Sequence, residues 1–271
     1  MELLEGERVL AFDLETTGIS TKNDRIVQLA LIGSDSNGSE ISYDRLVNPR
    51  RPIPYDSQRI HGISDSDVRG EPDFATIADR VSELIEGSVL IGHNVRQFDL
   101  PMLRTEFLRI GALPPEPKAV LDTLELARRL KLPRPHRLGT LCNRHGISLE
   151  NAHTASADAA ASLLLLWKLG RDHPSYFRKS LQEVEQWCIT GTSAKSQSEL
   201  GPQLEDLEPL DSSGMVRRDG PHLVLAVGRH RGRHLEEVRD SDPSYLHWLL
   251  SPKGIEDIQA KEDIKTYLNL E

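Results

Sequence analysis

Cysteine is scarce: the 271 residues hold two, Cys142 and Cys188. That argues against a disulfide-stapled scaffold, and because neither has metal-ligand spacing, against a thiolate zinc module too. A buried free thiol is the reading for Cys142. Neither a signal-peptide pattern nor an apolar stretch long enough to span a bilayer occurs, so a reducing cytoplasm is expected and a membrane partner is not. Positive charge is in deficit, 33 Lys and Arg against 42 Asp and Glu, for a net charge of −9. Such a chain disfavours tight non-specific binding to long nucleic acid. No internal repeat is evident.

What is present is a set of carboxylates in suggestive settings. An apolar, strand-forming run from Arg8 to Gly18 carries Asp13 and Glu15 two positions apart. Residues two apart on a strand share a face, which spaces these acids roughly 6–7 Å along it. Two acids on an otherwise buried strand are costly unless something positive lies between them. A hard divalent cation with oxygen ligands is the usual solution. In a second segment, residues 89–103, a short apolar strand runs through a polar turn into a helix with Asp99 near its start. In a third, residues 151–158, His153 precedes an Ala/Leu-rich helix reaching about Gly170, with Asp158 near its beginning. Each segment alone would serve equally as a cap or a polar surface; the three in this order point to one site.

The three segments resemble the exonuclease motifs of the DEDD superfamily of 3′–5′ exonucleases, in the subgroup with a histidine in the third motif, like the proofreading subunit of bacterial DNA polymerase III. Phe12-Asp13-Leu14-Glu15-Thr16-Thr17-Gly18 resembles the first motif, His93-Asn94 with Phe98-Asp99 the second, and His153 with Asp158 the third. Arg59 to Ile63 resembles the family's His-Gly-Ile loop, and Leu121 to Leu124 its strand-to-helix turn. Three residues separate Asn94 from Phe98, where many relatives have two.

The resemblance implies a ribonuclease H-like α/β fold and a two-metal site. Two ions, Mg²⁺ or Mn²⁺, would be held about 3.5–4 Å apart by Asp13, Glu15, Asp99 and Asp158, and would activate the attacking water and stabilise the leaving 3′ oxygen. His153 would accept the proton of that water, a task suited to neutral imidazole near neutral pH. The backbone around Leu14 to Thr16, His61, Asn94 and Phe98 would contact the 3′-terminal nucleotide. His61 reads equally as a turn histidine, His93 as a structural one, and Phe98 more readily as core than as a base-stacking wedge. Lys131, Arg134, His136 and Arg137 form a basic stretch that either tracks phosphates or makes a solvated helix connection.

The implied activity is metal-dependent 3′–5′ exonucleolysis of DNA, on single strands or 3′ ends, releasing nucleoside 5′-monophosphates in repair or proofreading. An exoribonuclease on the same scaffold is the alternative, because these motifs hold sugar and phosphate. A non-catalytic nucleic-acid-binding or scaffold protein is a third reading.

Strands near 8–14, 26–32 and 41–47, then alternating helices and strands at 74–86, 89–93, 99–110 and 119–122, predict a mixed sheet with flanking helices. The opening strands have enough Val, Leu and Ile to be buried on both faces. A helix over 173–190 closes an exonuclease domain of residues 1–190. Residues 191–220, rich in Ser, Gly, Pro and acids, read as a flexible acidic linker. Residues 221–271 form a small α+β domain: a strand at 223–227, a basic loop Gly228-Arg-His-Arg-Gly-Arg-His234, and a helix from Asp242 and Pro243. This segment resembles the small C-terminal domain of some exonuclease X-like proteins. Its seven Lys and Arg face nine Asp and Glu, which leaves open a nucleic-acid contact, a polymerase or repair partner, or a homodimer. As a tethered module it would tune substrate engagement and perform no chemistry.

Overall fold

The computed structural model describes residues 1–149, 154–190, 202 and 204–270; His153 and residues 191–201 and 203 of the expected linker lie outside them. In chain order the elements are β1 (Val9–Thr16), β2 (Ile26–Ser34), β3 (Glu40–Leu46), α1 (Tyr55–His61), α2 (Asp65–Val68), α3 (Phe74–Ile85), β4 (Val89–Gly92), α4 (Asp99–Arg109), β5 (Ala119–Asp122), α5 (Thr123–Arg129), α6 (Leu138–Arg144), α7 (Ala155–Asp172), α8 (Pro174–Phe177) and α9 (Leu181–Ile189). There follow β6 (Glu208–Pro209), β7 (Val216–Asp219), β8 (His222–Leu225), α10 (Leu235–Ser241), α11 (Pro243–Leu250) and α12 (Ile258–Leu268).

The chain forms two compact units, one of residues 1–126 and 149–192, the other of 127–148 and 193–271. In the first, five strands are ordered β3-β2-β1-β4-β5, with β1 antiparallel to β2 and parallel to β4. The period of two sorts β1 into two faces. Leu10, Phe12 and Leu14 enter a core shared with α3 and α4, including Phe74, Val81, Met102 and Phe107. On the other face Ala11 meets Ala30, Ala155 and Ala159. Small side chains at all four positions let α7 lie close against the sheet, and Asp13 and Glu15 continue the Ala11 face toward it.

Two expectations are corrected. Edge strand β3 alternates between exposed and half-buried residues and is not covered on both faces. The helix expected over 173–190 is two helices, because Ser180 and Glu183 form a reciprocal capping box that starts α9 afresh.

The second unit departs further from the expected division. Its sheet β6-β7-β8 and helices α10 to α12 enclose a core of Val216, Leu225, Val238, Leu249 and Ile264, and residues 204–220 of the expected linker are part of this unit, beginning with a helical turn at Leu204–Asp206. Residues 127–148 belong to this unit as well. Arg144 is 2% exposed, donates to the Pro133 carbonyl at 3.0 Å and lies 3.8 Å from the Asp219 carboxylate. Asn143 donates to the Arg231 carbonyl at 3.0 Å, His234 N–H to Arg144 at 3.2 Å and Arg134 N–H to Pro202 at 2.7 Å. His136 is turned inward onto the Leu132 carbonyl, 2.6 Å away, and so leaves the basic stretch proposed to track phosphates.

Candidate active site

β1 outruns its parallel neighbour. Pairing with β4 stops at Ala11–Ile91, whereas pairing with β2 continues through Glu15–Gln28 to a bulge beside Thr16. The last residues of β1 therefore line a crevice at the carboxyl end of β4, where α/β sheets place their ligands. The last residue of β4, Gly92, has no room for a side chain: a Cβ there would lie 2.8 Å from the Phe12 carbonyl oxygen and 2.7 Å from Val95 Cβ.

In this crevice Asp13, Glu15 and Asp158 each present a carboxylate oxygen, all within 4.8 Å of one another. Asp99, 3% exposed, opens α4 with its carboxylate beside the backbone of Leu14. The electrostatics are strained. Burial, then the charges of Asp99, Asp158 and Glu15, hold the Asp13 carboxyl well above its ordinary range. Burial and Asp158 push Glu15 up to about 7. Burial foremost, with Asp122 and Glu15 adding, raises Asp99. Carboxylates whose charges raise the cost of ionising Asp13, Glu15 and Asp99 form a hard-oxygen donor set for divalent cations, and the residues present fit such a group. The predicted ligands Asp13, Glu15 and Asp158 are brought together, with Asp99 beside them. The expected general base, His153, lies outside the described residues.

The second motif is a turn held from beneath. Asn94 adopts φ +67°, and its carbonyl accepts from Gln97 and Phe98, both at 3.1 Å; this turn takes up the additional residue noted in the sequence. Fully buried Asp122 at the end of β5 accepts from the N–H groups of Asn94 (3.0 Å), Arg96 (3.1 Å) and Leu124 (3.0 Å). One carboxylate thus fixes both the turn before Asp99 and the start of α5. His93 Nδ1 lies 2.9 Å from Thr123 Oγ1, whose own proton goes to the Gly92 carbonyl at 3.1 Å. His93 therefore donates and is structural. Phe98 is half-buried and packs against the main core.

Near the mouth, Thr16 is buried with its hydroxyl on the Gly18 carbonyl at 2.8 Å. His61 Nδ1 accepts from Ile63 N–H at 3.0 Å, which puts the ring proton on Nε2. That N–H faces the Thr16 carbonyl without an aligned hydrogen bond, and burial lowers the His61 pKa.

Sequence reasoning missed three supports. Gln28, opposite Glu15, accepts from Ala155 N–H at 3.2 Å and donates to Asp44 at 2.8 Å, pinning the first residue of α7. Its signal was a lone amide inside Ile26-Val-Gln-Leu-Ala-Leu31. Buried Glu106 accepts from Arg25 at 2.7 and 3.1 Å and from Arg109 at 2.9 Å, tying α4 to the start of β2. The third support is Asp122, which showed only as part of a turn.

A mixed sheet whose central strand and two flanking helices deliver four acids to one crevice is the ribonuclease H-like exonuclease fold. The exonuclease family profile, RNase_T, matches residues 10–166, and the chain belongs to that family, among the DEDD 3′–5′ exonucleases. It is 36% identical over 172 residues to the PolC-type DNA polymerase III of Halalkalibacterium halodurans, covering 63% of this chain and 12% of the relative. To the Bacillus subtilis PolC-type enzyme it is 34% identical over 173 residues, with the same coverage, 63% and 12%. Among solved structures, zinc-bound E. coli exonuclease I with single-stranded DNA superposes with a TM-score of 0.57 at 25% identity, over 62% of this chain and 41% of that one. The chain thus spans about an eighth of the length of the polymerases it resembles.

Proposed function

We propose that this protein is a divalent-metal-dependent 3′–5′ exodeoxyribonuclease that releases nucleoside 5′-monophosphates in DNA repair or proofreading. The observation that carries the reading is the convergence of Asp13, Glu15 and Asp158 carboxylate oxygens within 4.8 Å, with buried Asp99 adding its charge. Asp13, Glu15, Asp99 and Asp158 would hold two ions, Mg²⁺ or Mn²⁺. Such ions, when bound, supply the charge that activates water and stabilises a leaving 3′ oxygen.

The chain's own groups supply the rest. His153 takes the proton of the attacking water. The His61 Nε2–H and the β1 backbone from Leu14 to Thr16 bind and orient the terminal nucleotide. The Asn94 turn, through Asp122, fixes where Asp99 points. The single-stranded DNA in the exonuclease I complex supports DNA as the substrate class.

Digestion of matched 5′-end-labelled DNA and RNA oligonucleotides with Mg²⁺ or Mn²⁺ tests this reading. Stepwise shortening of DNA from the 3′ end, lost in EDTA and in Asp13→Asn, is expected. Preferential shortening of RNA would move the assignment to an exoribonuclease, and no metal-dependent cleavage of either would leave a binding protein.

A further inference from the structure

The basic loop and the aromatic helix that stood apart in the sequence form one concavity in the second unit. Gly228 and Gly232, at φ +74° and +87°, close the loop tightly, with Arg231 N–H on the Gly228 carbonyl at 3.1 Å and Gly232 N–H on Leu225 at 2.7 Å. Gly228 rests directly on the Tyr245 hydroxyl, and a Cβ there would collide with it. Tyr245 and Trp248, three apart on α11, share a helix face, with ring centroids 5.1 Å apart. Together with Arg229 and Ser244 they line a pocket of about 350 Å³, a size that suits a small ligand.

The chemistry of this lining is specific. Trp248 keeps 38% of its surface exposed and offers a π-face beside the Tyr245 ring, the two tilted by 50°. The Arg229 guanidinium sits 5.2 Å from the Tyr245 ring centroid and is held by Asp242 at 2.6 Å, while 63% of its side chain remains exposed. Asp242 also accepts from His230 at 2.8 Å, from Ser244 Oγ at 2.7 Å and from Tyr245 N–H at 3.1 Å. Its lone pairs are engaged within the protein, and it orients an arginine whose remaining donors face outward. Arg231 is paired with exposed Glu205. An aromatic face beside an oriented guanidinium pairs with a planar ring bearing an anion, whereas a buried apolar peptide anchor would leave the cation without a counterpart.

We propose that Trp248, Tyr245 and Arg229 form a nucleotide subsite for single-stranded DNA, with one base stacked on Trp248 and its phosphate on Arg229. The proposal rests on the exonuclease reading only for the kind of strand that reaches it. A strand gripped here is held independently of the carboxylate crevice and of any metal.

The test is binding of the full-length protein in EDTA, where cleavage does not occur, to a labelled (dT)16 and to the same oligonucleotide with abasic sites. Trp248→Ala is expected to weaken (dT)16 binding on the order of tenfold, and Trp248→Phe to restore most of it. Arg229→Gln should weaken binding and reduce the slope of log K against log salt by about 0.7. Abasic sites should weaken binding to the wild type while leaving Trp248→Ala unaffected. Equal affinity of wild type and Trp248→Ala would overturn the proposal. So would a change of oligomeric state in Trp248→Ala with (dT)16 affinity intact, which would assign the face to contact between copies. Cleavage of a short oligonucleotide with Mg²⁺ reads the crevice separately: cleavage without the binding pattern sinks the subsite alone, and the binding pattern without cleavage sinks the exonuclease reading alone.

Discussion

Glu15→Gln should make the metal-free protein more stable at pH 8 and nearly unchanged at pH 5. Burial and the charge of Asp158 push Glu15 from its ordinary 4.5 up to about 7, so between those values the folded state binds a proton that the unfolded chain releases. Stability then falls as pH rises through that window and stays low above it. Keeping Glu15 ionised at pH 8 costs roughly 3 kcal/mol, or about 2 kcal/mol once the solvent reaching this half-buried group is counted. Gln removes the charge and keeps the shape. In a protein of this size about 2 kcal/mol corresponds to roughly 4–8 °C in melting temperature, readable by calorimetry in EDTA. Mg²⁺ should raise the wild-type midpoint more at pH 8 than at pH 5, and the gain should shrink in Glu15→Gln. A variant that melts at or below wild type at pH 8, or that gains as much at pH 5, would refute the account of a site built under electrostatic strain.

Asp13→Ala or Asp99→Ala should abolish Mg²⁺-dependent cleavage with the circular dichroism spectrum and melting cooperativity retained; full activity in either would rule out this site. His153→Ala should lose on the order of 10²-fold in single-turnover rate together with most of the pH dependence between pH 6 and 8, and a wild-type rate across that range would show that it is not the base. Glu106→Ala leaves Arg25 and Arg109 without their buried partner and should cost about 3 kcal/mol in denaturant unfolding, with activity falling because α4 carries Asp99. In the second unit, Glu236 is opposed by burial, but His222 and the Tyr267 hydroxyl together hold it down at about 2. Its stabilisation is present above pH 4.5 and lost as pH falls toward 2, so Glu236→Gln should flatten the acid limb of that unit's melting curve.

The sheet was legible because its strands are rich in aliphatic residues, and Val9–Thr16, Ile26–Ser34 and Ala119–Asp122 lie within two residues of their expected bounds. Asp13, Glu15, Asp99 and Asp158 were legible because the spacing of two on a strand and the start of a helix each dictate direction. The supports were not. Gln28, Asp122 and Glu106 act through backbone amides or arginines distant in sequence, and nothing local distinguishes Glu106 from any helical surface glutamate. The break before Ser180 is written locally, in the Ser180 and Glu183 capping box. The joining of residues 127–148 to the second unit was not legible, because composition does not report that Arg144 would find Asp219, 75 positions further on.

That pairing gives synthesis an order. Residues 10–166, matched by the family profile, are translated before the strands and helices of 204–268 exist. At roughly 5–20 residues per second, the segment up to Ser148 waits on the order of 6–24 s for α12 to be made. Through that interval Arg144 has no Asp219 to meet, and the stretch leading into the third motif is a nascent chain without its partners. A stop codon introduced after Gln186 would make the wait permanent, so the truncated protein should lose cleavage even of short oligonucleotides, where a freely tethered module would have left it intact. Grafting this C-terminal region onto another exonuclease would for the same reason require residues 127–148 to travel with it.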